Sequence, residues 1–470
     1  MRKTKIIATM GPAISSYKVF KECVESGMNA VRINMSHSTR DKHQKFVDYT
    51  LAARKELGCA LPLIIDTRGP EVRVGNFDGG KVNIKRGQEF TFTTEQVIGN
   101  NTQVCLTEPS VISKLKSGSK ILTCNGLLNF KVLNVSGGNA HCKALNSGTL
   151  SNHKSVFLPG VELDVPYLND KDKDDIKWAI ANNFEYIAAS FVSTANDVIQ
   201  LREFIKSNGG NIQIISKIES KLGLKNLDEI IKVSDGIMVA RGDLGVEIPM
   251  QKLPSIQKDM ITRSRLNGKV VVTATEMLES MINNPRPTRA ETSDVANAVF
   301  DGTSVVMLSA ETSVGAYPTK AIKTMAQICD TTEKSIKYNQ LFGSSVYRAS
   351  TIHDAISYSA VTTSFSTDAK VIAVFSGSGN SARLVSRFRP NSTIMAVTDN
   401  INTYHSLALS WGVLPVFNKA TPASIDKMVT TSDKLAHDNK LVRTGDVMII
   451  TSASRHNEHT TDIVKAHIVN

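Results

Sequence analysis

Polar side chains stand where short apolar runs of this sequence end: Asn34 and Ser36, Asp66 and Thr67, Lys217 and Glu219, Asp243, Thr275, and Glu311. Carrying a buried strand into Lys, Glu and Asp is costly for stability alone, so their recurrence at one end of successive runs points to a ligand or a metal ion. Solvated loop caps are the alternative. Lys217 precedes Glu219 by two positions, a spacing that puts both side chains on one face of a strand.

The elements that position these residues are eight β-branched apolar runs, each too short for a helix: Lys5 to Met10, Ala30 to Met35, Pro62 to Thr67, Tyr186 to Val192, Ile212 to Glu219, Gly236 to Gly242, Lys269 to Thr275 and Ser304 to Ala310. Such runs are how strands buried on both faces read. The intervals carry helical periodicity, as in Asn196 to Ser207 and Pro254 to Leu266. Eight parallel strands alternating with helices predict a (β/α)8 barrel, whose active site lies at the C-terminal ends of its strands. Between the third and fourth runs, alternating stretches such as VNIKRGQEFTFT and NFKVLNVSGGNAHCKAL predict antiparallel strands with glycine turns, hence a small inserted β-barrel. From about residue 345 the pattern changes to an open α/β unit of about five strands. The α/β division expected is a barrel over 1–69 and 164–344, an inserted β unit over 70–163 and a C-terminal α/β unit over 345–470.

The chain has 470 residues, 41% hydrophobic and 21% charged, which excludes collagen-like, coiled-coil and wholly disordered classes. Its formal charge of +11 favours anionic partners. Aromatics are only 6% and no long basic tract occurs, so small anions rank ahead of nucleic acid. Cys23, Cys59, Cys105, Cys124, Cys142 and Cys329 are scattered without metal-ligand spacing and read as reduced cytoplasmic thiols. No apolar stretch reaches membrane-spanning length and no signal segment is expected, so no membrane partner is expected either.

Several motifs resolve into blander readings. Gly75 to Val82 nearly matches a P-loop, but Val82 stands where a Ser or Thr must ligate Mg2+, so a hairpin turn is expected. Gly377 to Ala382 fits GxGxxA, with Asp399 about twenty residues on. Backbone N–H groups there, with the hydroxyls of Ser376, Ser378 and Ser381, could hold an effector phosphate; a bare turn and an NAD site are the other readings. Arg241-Gly242-Asp243 ends an apolar strand and is no adhesion motif, while His456 to His459 lacks helical zinc-protease spacing and reads as a loop. His37 and His153 are compatible with ordinary polar positions.

Taken together, RINMSHS, DTRGPEVR, IISKIES, IMVARGDLGVEIP and the stretch from TATEMLES through NNPRPTRAETSDVANAVFDGTSVVMLSAETSVGAYP resemble the pyruvate kinase family. The resemblance spans the barrel and insertion in order; the C-terminal unit agrees in layout and more weakly in sequence. It implies phosphoryl transfer from phosphoenolpyruvate to ADP, giving pyruvate and ATP. Glu219 and Asp243 would then ligate Mg2+ (or Mn2+), and Lys217 would stabilise the transferring group and the enolate. Gly242 and Asp243 would hold the substrate carboxylate through backbone N–H groups, with Thr275 touching substrate and joining the proton relay. Arg32 and Arg73 would clamp phosphate oxygens, and Lys154 would reach the nucleotide from the lid, with Asn34 and His37 as further nucleotide contacts. Asn34, Ser36, Asp66 and Thr67 offer oxygens with one negative charge, suiting a monovalent cation, and the family uses K+ there; Glu71 resembles the K+-dependent form. A homotetramer is the family's usual assembly.

Departures from the family pattern lie at Cys124-Asn125-Gly126, where two acids usually precede the glycine, at Leu222 in place of an acid, and at Phe157 in place of Asn. The loop Ser454 to Asp462 lacks the glycines of relatives activated by fructose bisphosphate and carries Glu458, so a different sugar phosphate, or no effector, is expected. Two other classes stand beside the kinase: a catalytically weakened binding scaffold of this fold, which predicts a broken constellation, and another enolate-forming barrel enzyme, which needs neither cation set nor lid.

Overall fold

The computed structural model describes residues 1–161, 165–343, 349–420, 422, 424–453 and 461–470. The unit boundaries expected at 163/164 and 344/345, and the tail stretch 454–460 with His456, Glu458 and His459, lie outside the described residues.

Eight strands close into a parallel barrel in chain order: Lys5–Thr9, Ala30–Asn34, Leu63–Asp66, Tyr186–Ala189, Gln213–Ile218, Gly236–Ala240, Val270–Ala274 and Val305–Leu308. Alternate side chains divide the apolar content between two cores. Ile7, Ile64, Tyr186, Ile215, Met238, Val272 and Met307 fill the barrel interior, together with Leu409 from the C-terminal unit. Ile6, Ile33, Ile65, Ile187, Ile214 and Ile237 face the surrounding helices. The strands are therefore apolar on both faces, which is why continuous runs rather than alternation marked them. Several helices begin at side-chain caps. Thr194 with Asp197, and Thr288 with Glu291, each form a reciprocal capping box ahead of Ala195–Ser207 and Arg289–Phe300.

The insertion between the third and fourth strands is an antiparallel-rich unit. Its larger sheet runs Val156–Phe157, Lys120–Thr123, Leu128–Ser136, Asn139–Ala144, Glu89–Thr93, Gln103–Cys105, and a separate ribbon pairs Lys81–Ile84 with Gly148–Ser151. Phe90, Phe92 and Phe130 form its core, with ring centroids 5.2–5.5 Å apart. The expected small β-barrel is thus built as two sheets, with isolated bridges such as Arg73 with Ser155 outside them. Gly137 and Gly138, both at positive φ, turn the hairpin that the alternation predicted. The turn at Gly87 behaves differently: the strands on either side enter different sheets, because alternation fixes a strand's faces but not its partner.

The C-terminal unit is a five-stranded sheet ordered Val413–Phe417, Thr393–Thr398, Val371–Phe375, Val447–Ser452, Ile463–Ile468, the last strand antiparallel. It seats against the N-terminal ends of the barrel strands. Tyr186 donates its hydroxyl to Ser406 O at 2.9 Å, Lys5 donates to Val413 O at 2.7 Å, and Arg383 reaches Gln213 at 3.0 Å. The opposite end of the barrel is left to the insertion. Among the described residues no helix is long and apolar enough to cross a membrane.

Candidate functional site

At the C-terminal ends of the barrel strands a cleft of about 170 Å3 is lined by Arg32, Asn34, Ser36, His37, Asp66, Thr67, Arg73, Lys217, Glu219, Asp243 and Thr275. Strand register brings them level, since Asn34 pairs beside Asp66 and Lys217 beside Met238. Arg68, Glu71, Ser190 and Phe191 complete the wall. Four acids, Asp66, Glu71, Glu219 and Asp243, meet four cations, Arg32, Arg68, Arg73 and Lys217. The acids and bases are equal in number, so an anionic substrate enters most readily together with added cations or by displacing an internal pair.

Lys217 is the centre of the arrangement. Its ammonium lies 2.7 Å from Ser190 Oγ, 3.2 Å from Asp66 Oδ1 and 3.0 Å from Glu219 Oε1, using all three of its donors. Burial disfavours its charge, yet the carboxylates of Asp66 and Glu219 outweigh that, and its pKa is raised. The same balance acts on Asp66: burial opposes ionisation, but Arg32 and Lys217 hold its carboxyl below the usual range. Arg32 donates Nε to Asp66 Oδ2 at 2.7 Å and Nη1 to Thr9 Oγ1 at 2.8 Å. Asp66 is therefore already shared by two cations, a compensation that the spacing of residues did not reveal.

Glu219 also accepts the backbone N–H of Phe191 at 2.6 Å. Phe191 sits at φ 55°, a left-handed conformation unfavourable for a bulky residue and here tied to the contact it makes. Burial, and then the neighbouring charge of Glu219, push Asp243 up to about 7. Two carboxylates this close cannot both ionise without a cation between them, which is the chemistry of a divalent-metal pair. Among the described residues no group of three or more His, Cys, Asp and Glu side chains forms a closed cage. The pair leaves coordination positions for other oxygens.

Thr275 stands just beyond the seventh strand at φ 67°. Its hydroxyl accepts Gly242 N–H at 2.8 Å and lies 2.6 Å from the carbonyl of Ala274. Gly242 and Asp243 belong to the helix Arg241–Glu247 rather than to the strand, so Gly242 N–H is a helix-start donor that Thr275 engages. Arg241 holds the turn, donating to Thr275 O at 2.6 Å, Glu276 O at 3.0 Å and Asp294 at 2.6 Å. In Asn34-Met35-Ser36, Asn34 Oδ1 accepts Ser36 N–H at 3.0 Å, a local turn that gathers both side chains near Asp66 and Thr67. Arg73 reaches Glu71 at 2.7 Å and donates to His153 O at 2.9 Å. Glu71 also accepts the hydroxyl of Ser155. His37 lies at the rim, its pKa lowered by burial and by Arg73 and Arg32.

One expectation needs correction, and a second residue stands apart from the cleft. Glu311 is fully buried and does not line the cleft; it accepts Leu278 N–H at 3.0 Å and Ser309 N–H at 2.7 Å. It is a backbone cap, and a strand-end position cannot tell a cap from a ligand. Lys154, in the connection between Gly148–Ser151 and Val156–Phe157, is exposed on the insertion and is not among the cleft-lining residues. The insertion does touch the rim elsewhere: Gly126, in the left-handed turn Cys124-Asn125-Gly126, packs beside Val246 on the helix that carries Asp243. Ser376, Ser378 and Ser381 line a separate cavity of about 570 Å3 between the C-terminal unit and the barrel, with Gln213, Asp399 and Thr403. There Ser376 Oγ accepts Gly379 N–H at 3.0 Å and Ser381 pairs with Thr461 at 2.6 Å.

The sequence reading passed over Ser190, Phe191 and Arg241. Ser190 and Phe191 occupy the end of the fourth run, which with Lys5 to Met10 is one of the two runs without a charged or amide side chain at its end.

Comparison with known proteins gives concordant matches. Residues 1–322 match the family model described as pyruvate kinase, barrel domain, and residues 354–467 the one described as pyruvate kinase, alpha/beta domain. The chain is 40% identical over 474 residues to a pyruvate kinase of Sporosarcina psychrophila, covering 100% of this chain and 81% of the relative. It is 40% identical over 475 residues to that of Geobacillus stearothermophilus, covering 100% and 80%. A crystal structure of a pyruvate kinase from Cryptosporidium parvum superposes with a TM-score of 0.94 at 36% identity, covering 100% of this chain and 96% of that one.

Proposed function

This chain belongs to the pyruvate kinase family, and from that premise we propose how its own residues transfer the phosphoryl group of phosphoenolpyruvate to ADP. The enol P–O bond breaks as an ADP β-phosphate oxygen attacks phosphorus. The enolate left behind takes one proton at carbon, giving pyruvate and ATP. Such transfer asks the protein for positioning and charge more than for covalent chemistry. The observation that carries the reading is one cleft in which a buried ammonium, a carboxylate pair and arginine forks converge.

Arg32 and Arg73 orient phosphate oxygens with paired donors. Lys217 holds a fixed positive charge against the group in flight and the enolate oxygen, preorganised by contacts it already makes. Glu219 and Asp243 would hold Mg2+ or Mn2+, which supplies Lewis-acid charge to phosphoryl and enolate oxygens when bound. The substrate carboxylate takes over the Gly242 N–H that Thr275 Oγ1 accepts in its absence. Thr275, whose hydroxyl proton otherwise rests on the carbonyl of Ala274, passes that proton toward the enolate carbon, and a water returns one to the hydroxyl. Asn34, Ser36, Asp66 and Thr67 suit K+, hard oxygens around one carboxylate. Asn34 and His37 meet the nucleotide, and Lys154 reaches its phosphates when the insertion closes. Ser376, Ser378 and Ser381 would receive the phosphate of a sugar-phosphate effector, and the working form is a homotetramer in the cytoplasm.

Phosphoenolpyruvate and ADP supplied with Mg2+ and K+ should give pyruvate and ATP one for one; no pyruvate under those conditions overturns the reading. The metal pair has its own signature. With Asp243 near 7, the metal-free protein carries a proton there below neutrality, and metal binding must expel it. Mg2+ binding should release close to one proton at pH 6 and almost none at pH 9, with apparent affinity weakening about tenfold per pH unit below 7. Calorimetry in buffers of different ionisation enthalpy reads this number, and a pH-independent value of zero contradicts the pairing.

A further inference from the structure

We propose that Ser190 is a positioning residue that links the Lys217 ammonium to the monovalent-cation rim, so that the cation governs where the lysine charge sits as well as how much charge the site holds. The proposal rests on the reading of Asn34, Ser36, Asp66 and Thr67 as the K+ set.

Ser190 directly follows the fourth barrel strand and is 2% exposed. Its hydroxyl has one proton to give. The carbonyl of Thr67, at 2.7 Å, is nearer than Asp66 Oδ1 at 3.4 Å and takes it. The oxygen lone pair is then left for Lys217 Nζ, also at 2.7 Å. A single hydroxyl thus joins the lysine to a residue of the cation set, and Ser190 N–H adds a longer contact to Thr67 Oγ1 at 3.3 Å.

Of the three groups that Lys217 donates to, Ser190 is the only neutral one and the nearest. Asp66 is shared with Arg32, and Glu219 is half of the metal pair, so both carboxylates are committed to other cations in a working site. Ser190 is the partner that does not change charge or owner between states. Its backbone is held in place: Tyr167 donates to Ser190 O at 3.1 Å, and Gly69 packs so tightly there that a Cβ would lie 2.8 Å from that oxygen. Phe191, next in the chain, fixes Glu219 through its N–H. Two consecutive residues therefore set the positions of Lys217 and Glu219, one by side chain and the other by main chain.

The test compares wild type with Ser190→Ala, which removes one atom and opens little space, and Ser190→Thr, which keeps the hydroxyl. Ser190→Ala should lower kcat at least tenfold with the KM for phosphoenolpyruvate within threefold, and raise the K+ concentration for half-activation severalfold. Without substrates, the rise in thermal midpoint that K+ gives over Na+ in the wild type should shrink, and Ser190→Thr should restore both. An unchanged K+ profile in Ser190→Ala, equal impairment of the two variants, or failure of Ser190→Ala to fold would each overturn the link. Lack of turnover by the wild type would count against the proposed function instead, and the substrate-free midpoint would still decide the role of Ser190.

Discussion

Lys217→Met should turn over phosphoenolpyruvate at about a thousandth of the wild-type rate or less, because it removes a preorganised charge from the point where negative charge develops. The loss should fall on kcat. The arginines that orient phosphate remain, with Arg32 still fixed by Asp66 and Thr9. Mg2+ should bind as well as in the wild type or better, since the ammonium no longer competes for Glu219 at 3.0 Å. Methionine matches the lysine stem in length, so packing in this buried position is largely kept. Steady-state kinetics with a parallel Mg2+ titration checks both halves, and near-normal kcat, or metal binding lost together with turnover, would refute the role assigned to the lysine.

Glu219→Gln should be as damaging by a different route. The amide oxygen can still accept the N–H of Phe191, so the strained turn at φ 55° keeps its partner. The charge is gone, however, and with it half of the metal pair. We expect kcat/KM to fall about a thousandfold, several kcal/mol of transition-state stabilisation, and the Mg2+ concentration for half-activity to rise steeply. Asp243 should also lose part of its shift, since the charge of Glu219 is second only to burial in raising it. Proton release on metal binding near pH 6 would then diminish. If Glu219→Gln needs no more Mg2+ than the wild type, the metal lies elsewhere.

The barrel was legible because strands covered on both faces spell continuous apolar runs, and the rim because those runs end in residues that apolar burial does not explain. That logic reached Lys217, Glu219, Asp66 and Thr275 directly. It misassigned Glu311, which occupies the same strand-end position but is satisfied by two backbone N–H groups, a difference that depends on neighbours distant in sequence. Ser190 went unread for the converse reason: a serine has no chemical signature until the lysine beside it is known. In the insertion, alternation gave the faces of the strands flanking Gly87 but not the sheets they join. The left-handed backbone at Phe191 and Thr275 has no local sequence signal, for neither residue type favours it.

The central claim is that the rim works as one electrostatic unit in which Mg2+ on the carboxylate pair and K+ beside Asp66 complete a balanced set of internal charges. The most direct measurement is the initial rate of pyruvate formation from phosphoenolpyruvate and ADP at saturating Mg2+, with K+ replaced by Na+ at constant ionic strength. The account predicts substantial turnover with K+ and a steep loss with Na+. Equal rates with the two ions would contradict it.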